Sequence, residues 1–274
     1  MPSRAIKFNK NYIEKGENMS ERSNFVKSVI KAFDILEILD KKHEMGISEL
    51  SEILEWDKST VHRLVTTLKQ KGYVVQNGSN QKYSNSIKLF EMGNNVVERL
   101  GLRRQAQPYL EKLAGITHET VNLAIIDGKH VIYIDKIESP ATIKVDLNIG
   151  KKLPIFCTGL GKIMLAYMSE SEIKELLSGE AFIQYTKNTV KNIDELMKQL
   201  KEIRGKGFAL DDEEYVEGLQ CVAAPIRNYK SEVVAAVSVA VPKYRYEEGE
   251  KNFRYTKLVL DTAYEISKEL GFRK

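Results

Sequence analysis

One side of the segment Lys58–Gln70 carries side chains that are suited to contact nucleic acid. At 100° per residue, a helix over this segment has an apolar stripe, which consists of Val61, Leu64, Val65 and Leu68. Its opposite side is polar and has no acidic residue, and consists of Ser59, Arg63, Thr66, Thr67 and Gln70. The guanidinium of Arg63 can pair bidentately with guanine, and the hydroxyl and amide groups can bind bases or phosphates. This pattern predicts a helix that enters the major groove of DNA.

The local charge also favours contact with phosphate. Six basic residues stand against one acidic residue between Trp56 and Phe90, whereas the whole chain has a formal net charge of only +4. Lys82 follows the segment and is expected to lie over the DNA backbone or the minor groove. The residues predicted to contact DNA are Lys58, Ser59, Thr60, His62, Arg63, Thr66, Thr67 and Lys82. The plainer alternative is an ordinary solvated face of an amphipathic helix.

Three helices and a hairpin are predicted to position these side chains. Residues 1–24 are polar and without apolar periodicity, so a disordered tail is expected. A first helix runs from about Asn24 to Leu39, with a buried stripe at Val29, Ala32, Phe33 and Leu36. A second helix turns three apolar side chains inward, those of Leu50, Ile53 and Leu54. Asp57 is the expected N-cap of the third helix, and a turn at Asn77-Gly78 joins two short strands. Residues 25–86 therefore predict a winged helix-turn-helix domain.

The second half of the chain has a different periodicity. A helical connector is predicted over residues 87–115, with an interruption near Gly101. From Val121, two strand-like runs meet at Asp127-Gly128, and "TIKVDLNIG" predicts another strand. Helices and strands then alternate up to a last helix from about Glu248. Residues 116–274 are thus expected to form an α+β domain around one mostly antiparallel sheet.

Composition narrows the class of protein. The length of 274 residues suits two domains, and the sequence lacks both a secretory signal and an apolar run of the ~20 residues that a membrane span needs. Two distant cysteines, Cys157 and Cys221, form no disulfide framework, which favours the cytoplasm. The four histidines stand in separate contexts, and no phosphate-loop, dinucleotide or nucleophile-elbow motif is present. No metal, cofactor or catalytic residue is therefore predicted.

Two separated motifs carry a resemblance to a known family. The stretch "ISELSEILEWDKSTVHRLVTTLKQKGYV" resembles the DNA-binding half of the IclR family of bacterial transcription regulators. The stretch "GFALDDEEYVEGLQCVAAPIRN" is similar to the C-terminal signature of that family, except at Arg227, where the family usually has an aromatic residue or histidine. The matching positions are Gly207, Asp211, Glu214, Cys221, Val222, Ala223, Ile226 and Asn228. The resemblance implies a GAF-like second domain, a homodimer or homotetramer, and a small-molecule effector.

The resemblance also implies an effector site in the second domain. The residues carried over by motif are Gly159, Leu160, Asp211, Cys221 and Ser238, with Val145 and Leu153 as an apolar wall. Ala240 departs from members of the family that have a second hydroxyl there. Independently, the glycines of "CTGLGK" precede a predicted helix, whose first backbone N–H groups favour an anion. Each residue has a plainer interpretation: Cys221 as a buried small side chain, Asp211 as a turn cap, and Lys162 as a lysine that extends to solvent.

These observations favour an effector-responsive DNA-binding regulator that represses a catabolic operon. Its expected partners are a double-stranded DNA operator, a small organic acid or sugar acid, and further copies of the chain. One alternative is a GAF-like enzyme or redox sensor that uses Cys157 or Cys221 as a nucleophile, although no activating base stands beside either cysteine in the sequence. Another is a sensor that has lost DNA binding, which the intact polar face around Arg63 disfavours.

Overall fold

The computed structural model describes residues 25–99, 101–141, 148–246 and 250–273. They divide into two compact units, with the division between Asn95 and Val96. This division lies within the predicted connector; the predicted boundaries after residues 24, 86 and 115 stay predictions. The predicted tail of residues 1–24, and most of the strand predicted at "TIKVDLNIG", lie outside the described residues.

The first unit has the order of a winged helix-turn-helix domain. Its elements are α1 (Lys27–Lys42), α2 (Ile47–Leu54), α3 (Lys58–Gln70), β1 (Val74–Gln76), β2 (Tyr83–Asn85) and α4 (Ile87–Arg99), of which α4 crosses the division. The two strands pair antiparallel and form the wing, as predicted. The connection between them is longer than the two residues Asn77-Gly78 and spans positions 77–82.

The core of the first unit confirms the predicted face of α3 and corrects that of α1. Val61, Val65 and Leu68 are buried, and Leu64 packs against them. On α1, however, the buried side chains are Ile35, Ile38 and Leu39. The predicted stripe was wrong in part: Ala32 and Leu36 do pack against this core, but Val29 is 50% exposed and Phe33 is 60% exposed. Helix α1 has apolar residues on two neighbouring faces, and spacing along one helix does not tell which face meets the core.

The predictions for α2 and for the cap of α3 hold in part. On α2, Leu50 is fully buried and Leu54 is half-buried, but Ile53 is 37% exposed, so it does not face inward as predicted. Asp57 does occupy the N-cap position of α3, although its side chain makes no capping hydrogen bond.

The second unit is built around one six-stranded sheet. Its elements are α5 (Leu102–Thr117), β3 (Thr120–Asp127), β4 (His130–Ile137), β5 (Lys152–Pro154), α6 (Gly159–Leu165), α7 (Glu170–Leu176), α8 (Ile193–Lys206), β6 (Ala209–Asp212), β7 (Leu219–Arg227), β8 (Val233–Pro242) and α9 (Glu250–Glu269). The strand order is β5-β4-β3-β8-β7-β6, and every neighbouring pair is antiparallel. The predicted α+β class with an antiparallel sheet is confirmed.

The two faces of the sheet have different partners. On one face Val222 packs with Leu110 of α5 and Val259 of α9. On the other face Ala223 belongs to a core that includes Ile163 of α6 and residues of α8. Because side chains alternate along a strand, residues 221, 223 and 225 of β7 share this second face. It carries most of the candidate effector residues.

Local sequence signals fix several boundaries of the second unit. Gly128 has φ +56° in the turn between β3 and β4, as the Asp127-Gly128 pair predicts. Ser169 and Glu172 form the predicted capping box at the start of α7. The side chain of Asn192 accepts a hydrogen bond from the backbone N–H of Glu195 at 2.9 Å and so caps α8. Among the residues that the structure describes, no helix has both the length and the apolar content for crossing a membrane.

Candidate DNA-binding surface and effector site

Helix α3 presents the predicted polar residues on the surface of the first unit. Six of them are exposed, namely Lys58, Ser59, His62, Arg63, Thr66 and Thr67, and Thr60 is half-exposed. The hydroxyl of Thr67 donates to the backbone carbonyl of Arg63 at 2.8 Å, which occupies its hydrogen atom within the helix. Arg63 is exposed on this face, and its guanidinium offers five donors in a plane. The face can therefore meet the edges of bases in a major groove.

The wing lysine lies beside the start of α2. The ammonium Nζ of Lys82 is 2.9 Å from Oε1 of Glu49, and both side chains are partly exposed. The other oxygen of the same carboxylate accepts the backbone N–H of Gly46 at 2.6 Å. These contacts lower the pKa of Glu49, with the Gly46 hydrogen bond as the larger cause, and Glu49 raises the pKa of Lys82. Sequence reasoning missed Glu49, because the partners are 33 positions apart in the sequence.

A second contact ties α3 to the wing. The ammonium of Lys69 donates to Oε1 of Gln76 on β1 at 2.8 Å. The amide nitrogen of Gln76 in turn donates to the backbone carbonyl of Gln81 at 3.1 Å. These hydrogen bonds connect the wing loop to the last turn of α3.

An apolar groove lies beside the candidate DNA-contacting face of the first unit, between α1, α3 and α4, and its lining includes Thr60, Arg63 and Thr67. It encloses about 670 Å³ and is lined by residues that include Val29, Phe33, Leu64 and Met92. Aromatic and aliphatic side chains around it are unusually exposed, as in the case of Phe90 at 66%. Contiguous apolar surface of this kind marks an interaction site in soluble proteins.

Three of the predicted effector residues meet on one face of the sheet, and a fourth lies one strand away. Asp211 of β6 is the register partner of Cys221 of β7, and the neighbouring strand places Ser238 opposite Ala223. Gly159 begins α6 directly above them. A methyl group added to Gly159 would lie 3.4 Å from Cβ of Asp211 and 3.6 Å from the carbonyl oxygen of Cys221. The structure therefore brings Gly159, Asp211 and Cys221 into close contact, with Ser238 one strand away.

The start of α6 has little freedom in sequence. Thr158 is its N-cap, and the hydroxyl oxygen of Thr158 accepts the backbone N–H of Gly161 at 3.1 Å. A side chain at Gly161 would place its Cβ 2.1 Å from the carbonyl oxygen of Ile155. Gly161 is thus required by close packing, whereas Gly159 faces the candidate site.

Lys162 does not extend to solvent, contrary to the plainer interpretation of the sequence. Its side chain is 2% exposed, and its ammonium forms an ion pair with the carboxylate of Glu214. The same ammonium lies 3.1 Å from Oε1 of Gln199 on α8 and 3.4 Å from the carbonyl oxygen of Leu210 on β6. Burial dictates this pairing, since a buried ammonium is tolerated only with hydrogen-bonded, charged partners. The pair joins α6, α8 and the end of β6 behind the candidate site.

Asp211 is a buried carboxyl group with a strongly shifted acidity. Burial raises its pKa to about 7, against the opposing effect of the Lys162 charge, while the nearby Glu214 raises it further. Its Oδ1 accepts the backbone N–H of Glu214 at 2.9 Å. Near neutral pH the group exists in both protonation states. It can therefore donate a hydrogen bond to an anionic ligand or accept one from a hydroxyl group.

Two of the remaining predicted effector residues are buried in the core, and one lies outside the described residues. Leu160 is buried in the core beneath α6. Leu153 is buried on β5, opposite Val131, and belongs to the same core as Leu160. Its place in the effector site stays a prediction. Val145 lies outside the described residues.

Both thiols are held in the neutral form. Burial raises the pKa of Cys157 and of Cys221, and the carboxyl of Asp211 adds to the effect in each case. The Sγ of Cys157 has the carbonyl oxygen of Pro154 as its neighbour at 3.7 Å. A nucleophilic cysteine needs a lowered pKa and a cationic or basic partner. These surroundings oppose the alternative of an enzyme that uses either cysteine.

Two polar residues that sequence reasoning missed lie in register with Ser238. On the face that carries Ser238, the register continues to Asn122 of β3 and then to Lys136 of β4. A polar residue inside the apolar run "VNLAIID" is the only sign of Asn122 in the sequence.

Comparison with known families and proteins gives a match for each of the two units. The family described as "IclR helix-turn-helix domain" matches residues 28–78, and the family described as "Bacterial transcriptional regulator IclR C-terminal" matches residues 94–268. The chain is 36% identical to the HTH-type transcriptional regulator KdgR of Dickeya chrysanthemi over 255 residues, which are 93% of this chain and 83% of that protein. It is 35% identical to the HTH-type transcriptional regulator XynR of Escherichia coli over 249 residues, 90% of this chain and 98% of that one. The crystal structure of the Thermotoga maritima IclR superimposes with a TM-score of 0.77 at 33% identity and covers 90% of this chain and 99% of its own.

Proposed function

Because the chain belongs to the IclR family of bacterial transcriptional regulators, we propose that this DNA-binding regulator represses a catabolic operon under the control of a small organic acid or sugar acid. The part of this proposal that concerns the effector rests on one observation, the contact of Gly159 with Asp211 and Cys221. A repressor in the cytoplasm would meet such an acid as the substrate or product of the pathway that it regulates.

The DNA-binding half is supported by the exposed face of α3. Arg63 is the proposed base reader, because a guanidinium can bind two acceptors of one guanine at once. Ser59 and Thr66 lie on the same face and are proposed to bind bases or phosphates. Lys82 is proposed to contact phosphate from the wing, where it exchanges its pairing with Glu49 for a phosphate oxygen.

A homodimer or homotetramer is supported by the apolar surface of the first unit. Val29 and Phe33 on α1, together with Ile87 and Phe90 on α4, expose apolar area that a single chain leaves uncovered within the described residues. A second copy of the chain would bury it. A two-fold dimer then presents two α3 helices to half-sites about 34 Å apart, or a multiple of that distance.

The proposed site would bind an anion through a combination of polar groups. A protonated Asp211 can donate to a carboxylate, and the hydroxyl of Ser238 offers a further partner one strand away. Control of DNA binding follows if the acid binds one arrangement of the dimer better than another, and the shift cannot exceed that difference in affinity.

The proposal is tested by a footprint and a release assay on the DNA upstream of the regulated genes. Purified full-length protein should protect a pseudo-palindromic sequence, and one or more acids from a panel of 2-oxo acids, sugar acids and aromatic acids should change the protection. If the protein protects the DNA but no acid of the panel changes the protection, the proposed DNA-binding function stands and the proposed effector class is wrong. If deletion of the gene for this protein lowers transcription of the regulated genes, the protein is an activator and the proposed repression is wrong.

A further inference from the structure

Three side chains of one loop bind the backbone at the end of β6. The loop connects α7 and α8. The amide nitrogen of Asn188 donates to the carbonyl oxygen of Asp212 at 2.8 Å. The hydroxyl groups of Thr186 and Thr189 donate to the next two carbonyl oxygens along the chain, in that order and each at 2.6 Å. One loop therefore fixes the orientation of three consecutive peptide groups.

The peptide group between Glu213 and Glu214 connects this loop to the candidate effector site. In a trans peptide the C=O and the N–H point in opposite directions. The C=O of this group accepts the hydroxyl hydrogen of Thr186. Its N–H donates to Oδ1 of Asp211 at 2.9 Å. Thr186 and Asp211 thus bind opposite sides of one peptide group, and the Thr186 hydroxyl sets the direction of the N–H that holds Asp211.

The backbone at this point needs such support, because its conformation is sparsely populated. Glu213 has a φ of +59°, in the left-handed region that residues other than glycine seldom adopt. Conformations of this kind persist only where the surrounding structure fixes them. The preceding peptide group is held by Asn188 at its C=O, and its N–H donates to the carbonyl oxygen of Leu219 at 2.9 Å. The hydrogen bonds from the loop therefore maintain a conformation that the local sequence alone does not favour.

The hydroxyl hydrogen of Thr186 is committed to this peptide group. A threonine hydroxyl has one hydrogen to donate. Its other acceptors are farther away than the carbonyl oxygen of Glu213: the carbonyl oxygen of Glu214 lies at 3.3 Å and the hydroxyl of Thr189 at 3.4 Å. The hydroxyl oxygen of Thr186 also accepts the backbone N–H of Asn188 at 3.1 Å. The loop thus holds Thr186 in place while Thr186 holds the peptide group.

We propose that Thr186 is a positioning residue of the candidate effector site, where its hydroxyl aims the N–H of Glu214 at the carboxyl group of Asp211. Thr186 acts through this peptide group and not through a contact with the effector. The inference rests on the proposed function, because that function gives Asp211 its role in effector binding.

The proposed role has a consequence for the acidity of Asp211. Burial is the largest influence on this carboxyl group and raises its pKa, whereas the N–H groups of Glu214 and Gly159 donate to the carboxylate and lower it. Loss of the hydrogen bond from Glu214 should therefore raise the pKa of Asp211 further. A threonine that only filled space would have no such effect.

The test measures the acidity of Asp211 in the full-length protein with and without the Thr186 hydroxyl. Urea unfolding from about pH 4 to about pH 9 is compared between each protein and its Asp211→Asn counterpart. This comparison separates Asp211 from the other titratable groups that face it, which are Lys162, Glu214, Cys157, Cys221 and Tyr133.

The expected result is a shift in pH that depends on the hydroxyl group. In the wild type the difference in stability should become constant above about pH 7, where the carboxyl group of folded Asp211 has lost its proton. In Thr186→Val this pH should rise by about one unit, which corresponds to one hydrogen bond to a carboxylate. Thr186→Ser retains the hydroxyl and should keep the pH of the wild type.

Thr117→Val is the matched control. Thr117 is also buried, and its hydroxyl likewise donates to one backbone carbonyl, that of Leu113 on α5 at 2.8 Å. This variant should lose stability without moving the pH at which the difference becomes constant. If Thr186→Val does not fold, Thr186→Cys takes its place, because a thiol is a weaker donor, and it should give a smaller shift in the same direction.

The outcomes separate the inference from the proposed function. The role of Thr186 is overturned if the pH is unchanged or lower in Thr186→Val, or if Thr186→Ser or Thr117→Val moves it equally. Operator binding is then measured with pyruvate, D-gluconate and 4-hydroxybenzoate, one acid from each class of the panel. A response of the wild type should weaken in Thr186→Val and persist in Thr186→Ser, and an undiminished response in Thr186→Val would also overturn the role. If the wild type binds its operator and responds to none of the three, the proposed effector class fails, whereas the pH measurement still decides the role of Thr186.

Discussion

Lys162 and Glu214 form a buried ion pair immediately behind the candidate effector site, with side chains that are 2% and 6% exposed. The backbone N–H of Glu214 also donates to the carboxylate of Asp211 at 2.9 Å. One residue therefore links the ion pair to the carboxyl group proposed to meet the effector. Through Lys162 the link reaches α6, and through Gln199 it reaches α8. The position of Asp211 depends on groups that never touch the ligand.

The first prediction concerns this ion pair. Lys162→Met leaves the Glu214 carboxylate buried and unpaired, so it should lower the free energy of unfolding by about 3–5 kcal/mol in urea. Lys174→Met is the control, because Lys174 lies 3.9 Å from Glu170 in an exposed pair and should cost less than about 1 kcal/mol. Equal effects of the two substitutions would show that the buried pair has no special role in stability.

The second prediction concerns the acidity of Asp211. Burial raises its pKa in the folded protein to about 7, above the ordinary value of 3.8. The folded state therefore holds the proton more tightly than the unfolded state, so this group lowers stability progressively as the pH rises from about 4 to about 7. Relative to Asp211→Asn, the wild type should lose stability over that range and reach a constant difference above it, as measured by urea unfolding. A difference that does not change with pH would mean that Asp211 has an ordinary pKa.

The third prediction concerns base reading by α3. Arg63→Ala should cost about 1–3 kcal/mol of specific binding and should relax the preference for one base pair of the operator. Fluorescence anisotropy with the operator and with single-base variants measures both effects. Lys198→Ala removes the same charge from an exposed position on α8 and serves as the control. An unchanged base preference in Arg63→Ala would remove its assignment as a base reader.

The fourth prediction uses the pairing of Lys82 with Glu49. Lys82→Ala should weaken binding to all DNA sequences and should flatten the dependence of affinity on salt, because one phosphate contact is lost. Glu49→Gln should act in the opposite direction, since the neutral amide no longer competes with phosphate for Lys82 but can still accept the N–H of Gly46. A loss confined to the operator sequence in Lys82→Ala would instead indicate a base contact.

The fifth prediction compares two glycines in helices. Gly161→Ala should destabilise the protein by about 1–3 kcal/mol or more, because its Cβ would lie 2.1 Å from the carbonyl oxygen of Ile155. Gly115→Ala on α5 meets no atom within 4 Å and should stabilise by about 0.5–1 kcal/mol. Thermal unfolding of the two variants measures the contrast. Tolerance of alanine at position 161 would mean that the start of α6 is less tightly packed than the structure indicates.

Features with local causes could be predicted from the sequence. The face of α3 follows from helical periodicity, the turn at Gly128 from the Asp-Gly pair, and the start of α7 from the Ser169–Glu172 capping box. The residues matched by motif also include Gly159, Asp211 and Cys221, which the structure does bring into contact.

Features with long-range causes could not. Helix α1 has two apolar faces, and only the packing of α2 and α3 selects Ile35 over Phe33. In the sequence, nothing distinguishes Lys162 from a surface lysine. Its partner Glu214 is 52 positions later and meets it only in the folded chain. The three-residue strand β5 is too short to give a periodic signal, and the position of Asn122 opposite Ser238 depends on strands that lie far apart in the sequence.

Operator binding measured with and without acid tests the central claim most directly. Labelled upstream DNA is titrated with the wild type, Asp211→Ala and Arg63→Ala in the presence and absence of the acids of the panel. An effector-controlled regulator should bind the DNA, should change its affinity by about 5- to 150-fold with at least one acid, and should lose that response in Asp211→Ala while retaining DNA binding. An acid response that persists in Asp211→Ala, or specific binding that survives undiminished in Arg63→Ala, would contradict the assignment of these sites.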